Sequence, residues 1–452
     1  MNTNPFPLEG VCMLKHSVIL LAAIVLIVPG TLFALTFTNT TLTVTQGDSE
    51  PAISIASNGT MAISGLQWLF DPDFYGTHYW SGSFGSTPTF RGLLDDQLVQ
   101  PGKVVFGSGD ADIDVSSSNV LNATTLIIFI NPPFTAAQIG VFATRCTNLN
   151  SLSSCSRQFI DRAGSDRPWI TSEGSHDYLS YHDAGNSTLI HVVRSDNDGV
   201  TWRRAGDPIV GQGKATGNST FNNIQGPIVA DPYTHNVYDI YAAGDTGVTK
   251  GQTFTPNHIY VSRSTDHGAH WTANLIYEVP FPGQFDYVFP ALAVDPTNGE
   301  LYAAFSDSHD VYFSYSTDQG DHWSAPVIVN TGNANTAIFP WLAAYNGKVD
   351  VVYYGTTASS KDDSSADWDT YLAQTTDDGA GFTQSKVSNS SNHHGAICTE
   401  GTACSNDTRT LLDLFEVAID PQNGKAGVIY TDDTANDSDG HPLPQIVLAQ
   451  EQ

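Results

Sequence analysis

The sequence predicts an all-β protein, a β-propeller of four-stranded blades, seven in number with six as the alternative, closed by a strand from near the N-terminus. Three observations predict it. The 452 residues include 39 Gly but only 3 Met, and only 14% are charged, a composition that suits short strands and tight turns rather than helices. An eight-residue turn pattern recurs four times along the chain. A longer strand–turn–strand pattern recurs seven times, at intervals that each hold four short strands.

At the N-terminus, Lys15-His16 precedes an apolar run from Val18 to Val28, then Pro29-Gly30 and Leu32 to Leu35. A basic start followed by about eleven apolar residues reads as an export signal. Ala34 has Leu32 two places before it, so no small-x-small cleavage site follows. Uncleaved to Leu35, the segment reaches about 18 residues, the lower limit for a membrane anchor. Residues 1–35 are therefore expected to be a signal peptide or an anchor, and 36–452 a single propeller domain. The expected location is secreted or cell-surface, with the membrane met only through that anchor. Cys12 precedes the apolar run, and the other four cysteines form two close pairs, Cys146 with Cys155 and Cys398 with Cys404. Pairing of neighbours as disulfides is one of three connectivities, and it suits a propeller with pinned loops. The spacings are not those of zinc ligands.

The short pattern appears as Ser195-Asp-Asn-Asp-Gly199-Val-Thr-Trp202, Ser264-Thr-Asp266-His-Gly268-Ala-His-Trp271, Ser316-Thr-Asp318-Gln-Gly320-Asp-His-Trp323 and, more loosely, Thr375-Thr-Asp377-Asp-Gly379-Ala-Gly-Phe382. It has the logic of a hairpin turn. The hydroxyl and carboxylate accept bonds from turn amides, Gly takes the positive-φ place, and the aromatic packs against the sheet. The long pattern reads Pro, strand, Asp-Pro or Asn turn with Gly, strand. Its best copies are Pro290 to Tyr302 and Glu416 to Val428, with looser ones at Pro51, Asp112, Pro168, Pro227 and Pro340. Blade two is expected to replace its short pattern by the Cys146–Cys155 loop. The last interval has room for three strands, and the alternating segment Leu35 to Thr45 can supply the fourth, which removes an open sheet edge.

The formal charge of −29 arises from 47 acidic against 18 basic residues. Such a field repels nucleic acid and anionic lipid, so neither is an expected partner. Only eight of the acidic residues are Glu. No cofactor is required by any motif, since nucleotide and haem fingerprints are absent. The acidic turn containing Asp433, Asp437 and Asp439 is a candidate calcium site, although it lacks the full spacing of a helix-loop-helix site.

The pattern S-x-D-x-G-x-x-W resembles the Asp-box of sialidase-like propellers, the BNR repeat. The copies at 264 and 316 match it fully; Asn197 stands in place of Asp in the first, and Thr375 and Phe382 replace Ser and Trp in the last. The resemblance implies boxes on outer turns, away from the catalytic cleft, and a glycan or glycoconjugate as partner. In a sialidase it also implies three arginines on a sugar carboxylate, a Tyr nucleophile polarised by a Glu, and an Asp acid/base. The Phe/Tyr-Arg-Ile-Pro motif expected before the first box is absent; the nearest segment is Thr89-Phe90-Arg91-Gly92.

Candidate binding residues lie just ahead of, or at the start of, each blade's innermost strand, which faces the central mouth where propellers bind ligands. They are Asp166 and Arg167, Asp286 and Tyr287, His393 and His394, and Arg409, Asp413 and Glu416. Arg167, Asp286, Tyr287, His394, Arg409 and Asp413 are expected to converge opposite the boxes, with Arg167 and Arg409 offering an anion site. The competing reading is that the arginines are salt bridges between blades. The functional expectation is a secreted or surface-anchored propeller that binds carbohydrate or acts on it as an exo-glycosidase. The alternative is a non-catalytic scaffold or adhesion propeller.

Overall fold

The computed structural model describes residues 34–42, 47–67, 76–95, 104–130, 133, 138–161, 165–183, 189–209, 223–244, 255–280, 282–405, 408–440 and 442–452. The strands form seven antiparallel sheets. Blade one is Asp48–Ile55, Thr60–Gln67, Thr77–Ser83 and Thr89–Leu93, and blade two is Val104–Val115, Leu121–Ile130, Gln138–Cys146 and Cys155–Asp161. Blade three is Ser165–Glu173, His176–Asp183, Ile190–Ser195 and Arg203–Arg204. Blade four is Asn223–Ala230, Val237–Gly244, Pro256–Ser264 and Thr272–Glu278. Blade five is Ala291–Val294, Leu301–Ser306, Val311–Ser316 and Val327–Ile328. Blade six is Thr336–Tyr345, Lys348–Thr356, Asp367–Thr375 and Thr383–Lys386. Blade seven takes Glu416–Ile419, Ala426–Asp432 and Gln445–Glu451 from the C-terminal end of the chain and Phe37–Thr41 from the N-terminal end. The first strands touch one another in ring order, with blade seven closing against blade one.

Seven blades and closure by the N-terminal strand agree with the sequence reading. Thr38 pairs with Gln450 and Thr40 with Leu448, so the ends of the propeller meet in one sheet. Residues Ala34–Gln452 form one compact unit. The expected signal or anchor lies outside the described residues, and among those described no helix is long and apolar enough to cross a membrane.

The second strand of each blade is packed between neighbouring blades and is mostly buried. Val237–Gly244 is buried at every position, as is Val349–Thr356. Small residues against aromatics fill the gaps: Ala52 and Ala62 pack with Tyr79, Ile113 and Ala123 between blades one and two.

The short repeat behaves as its chemistry requires. Gly268 N donates to Ser264 Oγ at 2.8 Å, Ser264 Oγ donates to Asp266 Oδ1 at 2.9 Å, and that carboxylate accepts His270 N at 2.8 Å. The divergent copies keep the same bonds through Asn197 and Thr375. Each box joins the third to the fourth strand of its blade, and in blade two that turn is closed by the Cys146–Cys155 disulfide.

The long repeat does something its sequence did not announce. Proline cannot donate to a sheet ladder and is tolerated at bulges. The register breaks around Pro51, Pro168, Pro227 and Pro340. The residue before the proline takes a left-handed backbone at Glu50 (φ 44°), Arg167 (φ 40°) and Phe339 (φ 54°), a strained conformation for a side-chain-bearing residue. These bulges set equivalent positions of different blades around the channel.

Candidate functional site

A cleft of about 760 Å3 opens at the end of the channel where the first strands begin. Strands alternate direction, so the box turns lie at the opposite end. The cleft is lined by Asp110, Asp166, Arg167, Tyr287, Phe289, Glu400, Arg409 and Asp413, among others.

Arg167 is its centre. The residue is 4% exposed, with its guanidinium carbon 4.2 Å from the Trp169 ring centre and 5.2 Å from that of Phe289. Nη1 lies 3.2 Å from Glu50 Oε2 and 3.6 Å from Asp110 Oδ1. Nε and Nη2 are buried with no hydrogen-bond partner among the described residues. Burial works against its charge, but Glu50, Asp110, Asp112 and Asp413 hold the guanidinium above its ordinary pKa. Glu50 in turn accepts Asp413 N at 2.9 Å, and Arg409 grips Asp413 through Nε and Nη2. Blades one, two and three and the segment before blade seven thus meet in one ion-pair network.

The carboxyls around it are pushed up by burial. Glu50 reaches about 8, only partly countered by Arg167, and Asp112 reaches about 7. Asp110 is also raised, with burial first and Asp166 among the causes. Asp110 and Asp166 form a pair at the cleft: both accept the backbone N–H of Arg167, at 3.2 Å and 3.0 Å. Burial, Glu400 and Asp286 push the Tyr287 phenol up, which makes a phenolate harder to form.

Five of the expected residues, Asp166, Arg167, Tyr287, Arg409 and Asp413, line this one cleft. Asp286 sits beneath it, buried, and accepts the Thr399 hydroxyl at 2.6 Å. Thr399, Glu400, Gly401 and Ala403 belong to the loop that the Cys398–Cys404 disulfide closes, and that loop is a wall of the cleft.

Other expectations need correction. His393 and His394 do not reach the cleft, because they pair as a short extra strand with Trp368 and Asp367 on blade six. His393 is buried against Asp433 at 2.7 Å, and His394 meets Asp367 at 2.6 Å. Glu416 lines a smaller cavity of about 400 Å3 at the other end of the channel, and its Oε2 accepts Ile53 N at 2.8 Å. Asp433 turns inward to His393 and Thr410, away from the exposed turn of Asp437 and Asp439. Among the described residues no group of three or more His, Cys, Asp or Glu could hold a metal. The two arginines do not form a free positive spot, since each is engaged by carboxylates.

Glu50, Asp110 and Glu400 were not singled out from the sequence. For Glu50 a signal existed, because it precedes the repeat proline of blade one as Arg167 does in blade three. No third arginine joins the cleft among the described residues. Arg91 lies on the outermost strand of blade one, bonded to Ser81 and Asn150.

Residues 178–354 match the family model of the BNR repeat-like domain. No curated protein gives a significant match to the sequence. Solved structures similar to this chain include a protein of unknown function from Dyadobacter fermentans, at 12% identity over 93% of this chain and 99% of that one, with a TM-score of 0.48. They also include the intramolecular trans-sialidase of Ruminococcus gnavus, at 12% identity over 88% and 93%, TM-score 0.42. An α-L-arabinanase of Penicillium chrysogenum is similar at 12% identity over 75% and 96%, TM-score 0.47. The chain is thus a seven-bladed all-β propeller with four Asp-box turns, and its residues 178–354 match the BNR repeat-like domain.

Proposed function

We propose that the protein is an extracytoplasmic carbohydrate-active propeller that binds glycan in the cleft at the starts of its first strands and cleaves a glycosidic bond there. The observation that carries this reading is the Asp110–Asp166 pair on one backbone N–H. Their nearest oxygens lie closer than the roughly 6.5 Å at which inverting carboxyl pairs begin, so the pair suits a retaining reaction. Asp110, raised by burial, gives its proton to the glycosidic oxygen as the C1–O bond breaks. Asp166 attacks C1 and forms a glycosyl ester. Asp110 then takes a proton from water, whose oxygen displaces Asp166 at C1 and restores both groups. The Tyr-nucleophile route is less well supported, because the Tyr287 phenol is pushed up rather than down. Two closed disulfides support an oxidising, extracytoplasmic location.

A fluorogenic exo-glycoside panel tests the proposal. Hydrolysis is expected with the natural chain, with a loss of about 10²–10⁴-fold in Asp110→Asn, the usual worth of an acid/base group, and at least as large a loss in Asp166→Asn, which removes the nucleophile. Turnover that survives both substitutions overturns the assignment. A blank panel with glycan binding intact favours recognition without catalysis. A blank panel and a blank glycan array together favour the second reading, a scaffold or adhesion propeller, for which the Arg409–Asp413 pairing speaks as a purely structural bridge.

A further inference from the structure

The charge preference of the cleft can be argued from its own side chains. We infer that the cleft selects cationic glycans, oligosaccharides bearing free amino groups, over neutral and anionic ones. This rests on the proposal that the cleft binds glycan.

Both arginines are already committed to carboxylates: Arg409 to Asp413, and Nη1 of Arg167 to Glu50 and Asp110. Two further carboxylates, Asp166 and Glu400, stand exposed at the cleft with no Lys, Arg or His partner among the described residues. Asp166 starts blade three, and Glu400 belongs to the disulfide-closed loop. Glu400 and Tyr287 line the same cleft, and after burial Glu400 is among the charges that push the Tyr287 phenol up. Tyr287 is partly buried, whereas the Phe289 ring is already engaged by the Arg167 guanidinium. A carboxylate beside an aromatic face is favourable for an ammonium group, through charge and ring quadrupole together.

A second observation, independent of the acids, also points to a ligand with sugar hydroxyls. Arg167 lines the cleft, is 4% exposed, and keeps Nε and Nη2 without an acceptor among the described residues. Buried donors of this kind need partners. An anionic acceptor there meets the carboxylate of Asp413, which acts on the same guanidinium, whereas a sugar hydroxyl oxygen meets no such repulsion. The net charge of −29 acts in the same sense at long range, holding anionic glycans off and concentrating cationic ones.

The test uses the full chain and matched oligosaccharides: glucosamine and galactosamine oligomers, their N-acetylated counterparts, and oligogalacturonate. At low salt the amino oligomers are expected to bind about tenfold tighter than the acetylated ones, and oligogalacturonate weakest. Raising the salt to about 1 M, where the Debye length is near 3 Å, is expected to shrink that ratio. Glu400→Gln is expected to lower it about fivefold, the worth of one exposed ion pair. Equal binding of amino and acetylated forms, a preference for oligogalacturonate, or a ratio indifferent to both salt and Glu400→Gln overturns the cationic preference while leaving glycan binding standing. Failure of every oligosaccharide to bind overturns the glycan reading itself.

Discussion

Arg167 shows how much one residue can organise in a ring. Its left-handed backbone and the proline after it turn the guanidinium into the channel, where it is shared by carboxylates from two other blades. Replacing it by Met removes a buried cation and leaves Glu50 and Asp110 facing each other. The expected loss is about 3–5 kcal/mol at pH 8, as for a broken buried ion pair. At pH 5 the loss is expected to be smaller, because Glu50, pushed up to about 8, is then protonated and needs no counter-charge. Urea denaturation at the two pH values measures both; equal losses would mean that the interaction is not ionic. The sequence placed Arg167, Arg409 and Asp413 at the mouth because each lies near the start of a first strand. It did not reveal Asp110, whose repeat copy lacks the proline, or Glu400, which lies in an insertion outside any repeat. Positions that converge only through ring closure leave no local pattern to read.

The Asp-box turn was the most legible element, since its bonds are all made within eight residues. Its aromatic packs against the sheet without full burial: Trp202, Trp271 and Trp323 are each only partly covered at the blade margin. Trp271 and Trp323 donate Nε1 to Gly268 O and Gly320 O, at 2.9 Å and 3.2 Å, while Nε1 of Trp202 has no partner among the described residues. Trp271→Ala or Trp323→Ala is therefore expected to destabilise by about 2–3 kcal/mol, below the full core value, and Trp202→Ala by less. Thermal melts of the three variants check the order, and a largest loss at Trp202 would contradict it. The first strands were legible as repeats but not as bulged strands. A proline announces a missing donor, whereas the register break and the left-handed turn of the preceding residue depend on the neighbouring strand. His393 and His394 were misplaced for a related reason: a two-residue strand pairing with blade six carries no periodicity of its own.

At the scale of the whole molecule, the ring, the blade number and the N-terminal closure were legible because they follow from repetition and from edge strands needing partners. What repetition could not show is the charge state of the channel. The first strands bury Asp48, Glu50 and Asp112 and half-bury Asp114, and Asp177 is buried between blades two and three. Burial pushes these groups up, Asp48 and Asp114 to about 6, Asp112 and Asp177 to about 7 and Glu50 to about 8, from ordinary values of 3.8 for Asp and 4.5 for Glu. In the unfolded chain they release their protons near the ordinary values. Between about pH 4 and pH 8 the native state therefore holds more protons than the unfolded one, and linkage makes stability fall as pH rises through that window. Self-repulsion within a chain of net charge −29 acts in the same direction. Asp266 and Asp318, lowered to about 2 by hydrogen bonds in their box turns, oppose this only below about pH 4, and as half-exposed groups they are screened by solvent. Unfolding free energy from urea titration is expected to be higher at pH 5 than at pH 8 by at least about 1.4 kcal/mol, the worth of a single pKa unit. The most common pattern, greatest stability between pH 5 and 8 with loss below it, is displaced here towards acid. Equal stability at the two pH values, or a gain at pH 8, would show that the channel carboxyls are ionised in the native ring and that water or a bound cation solvates them.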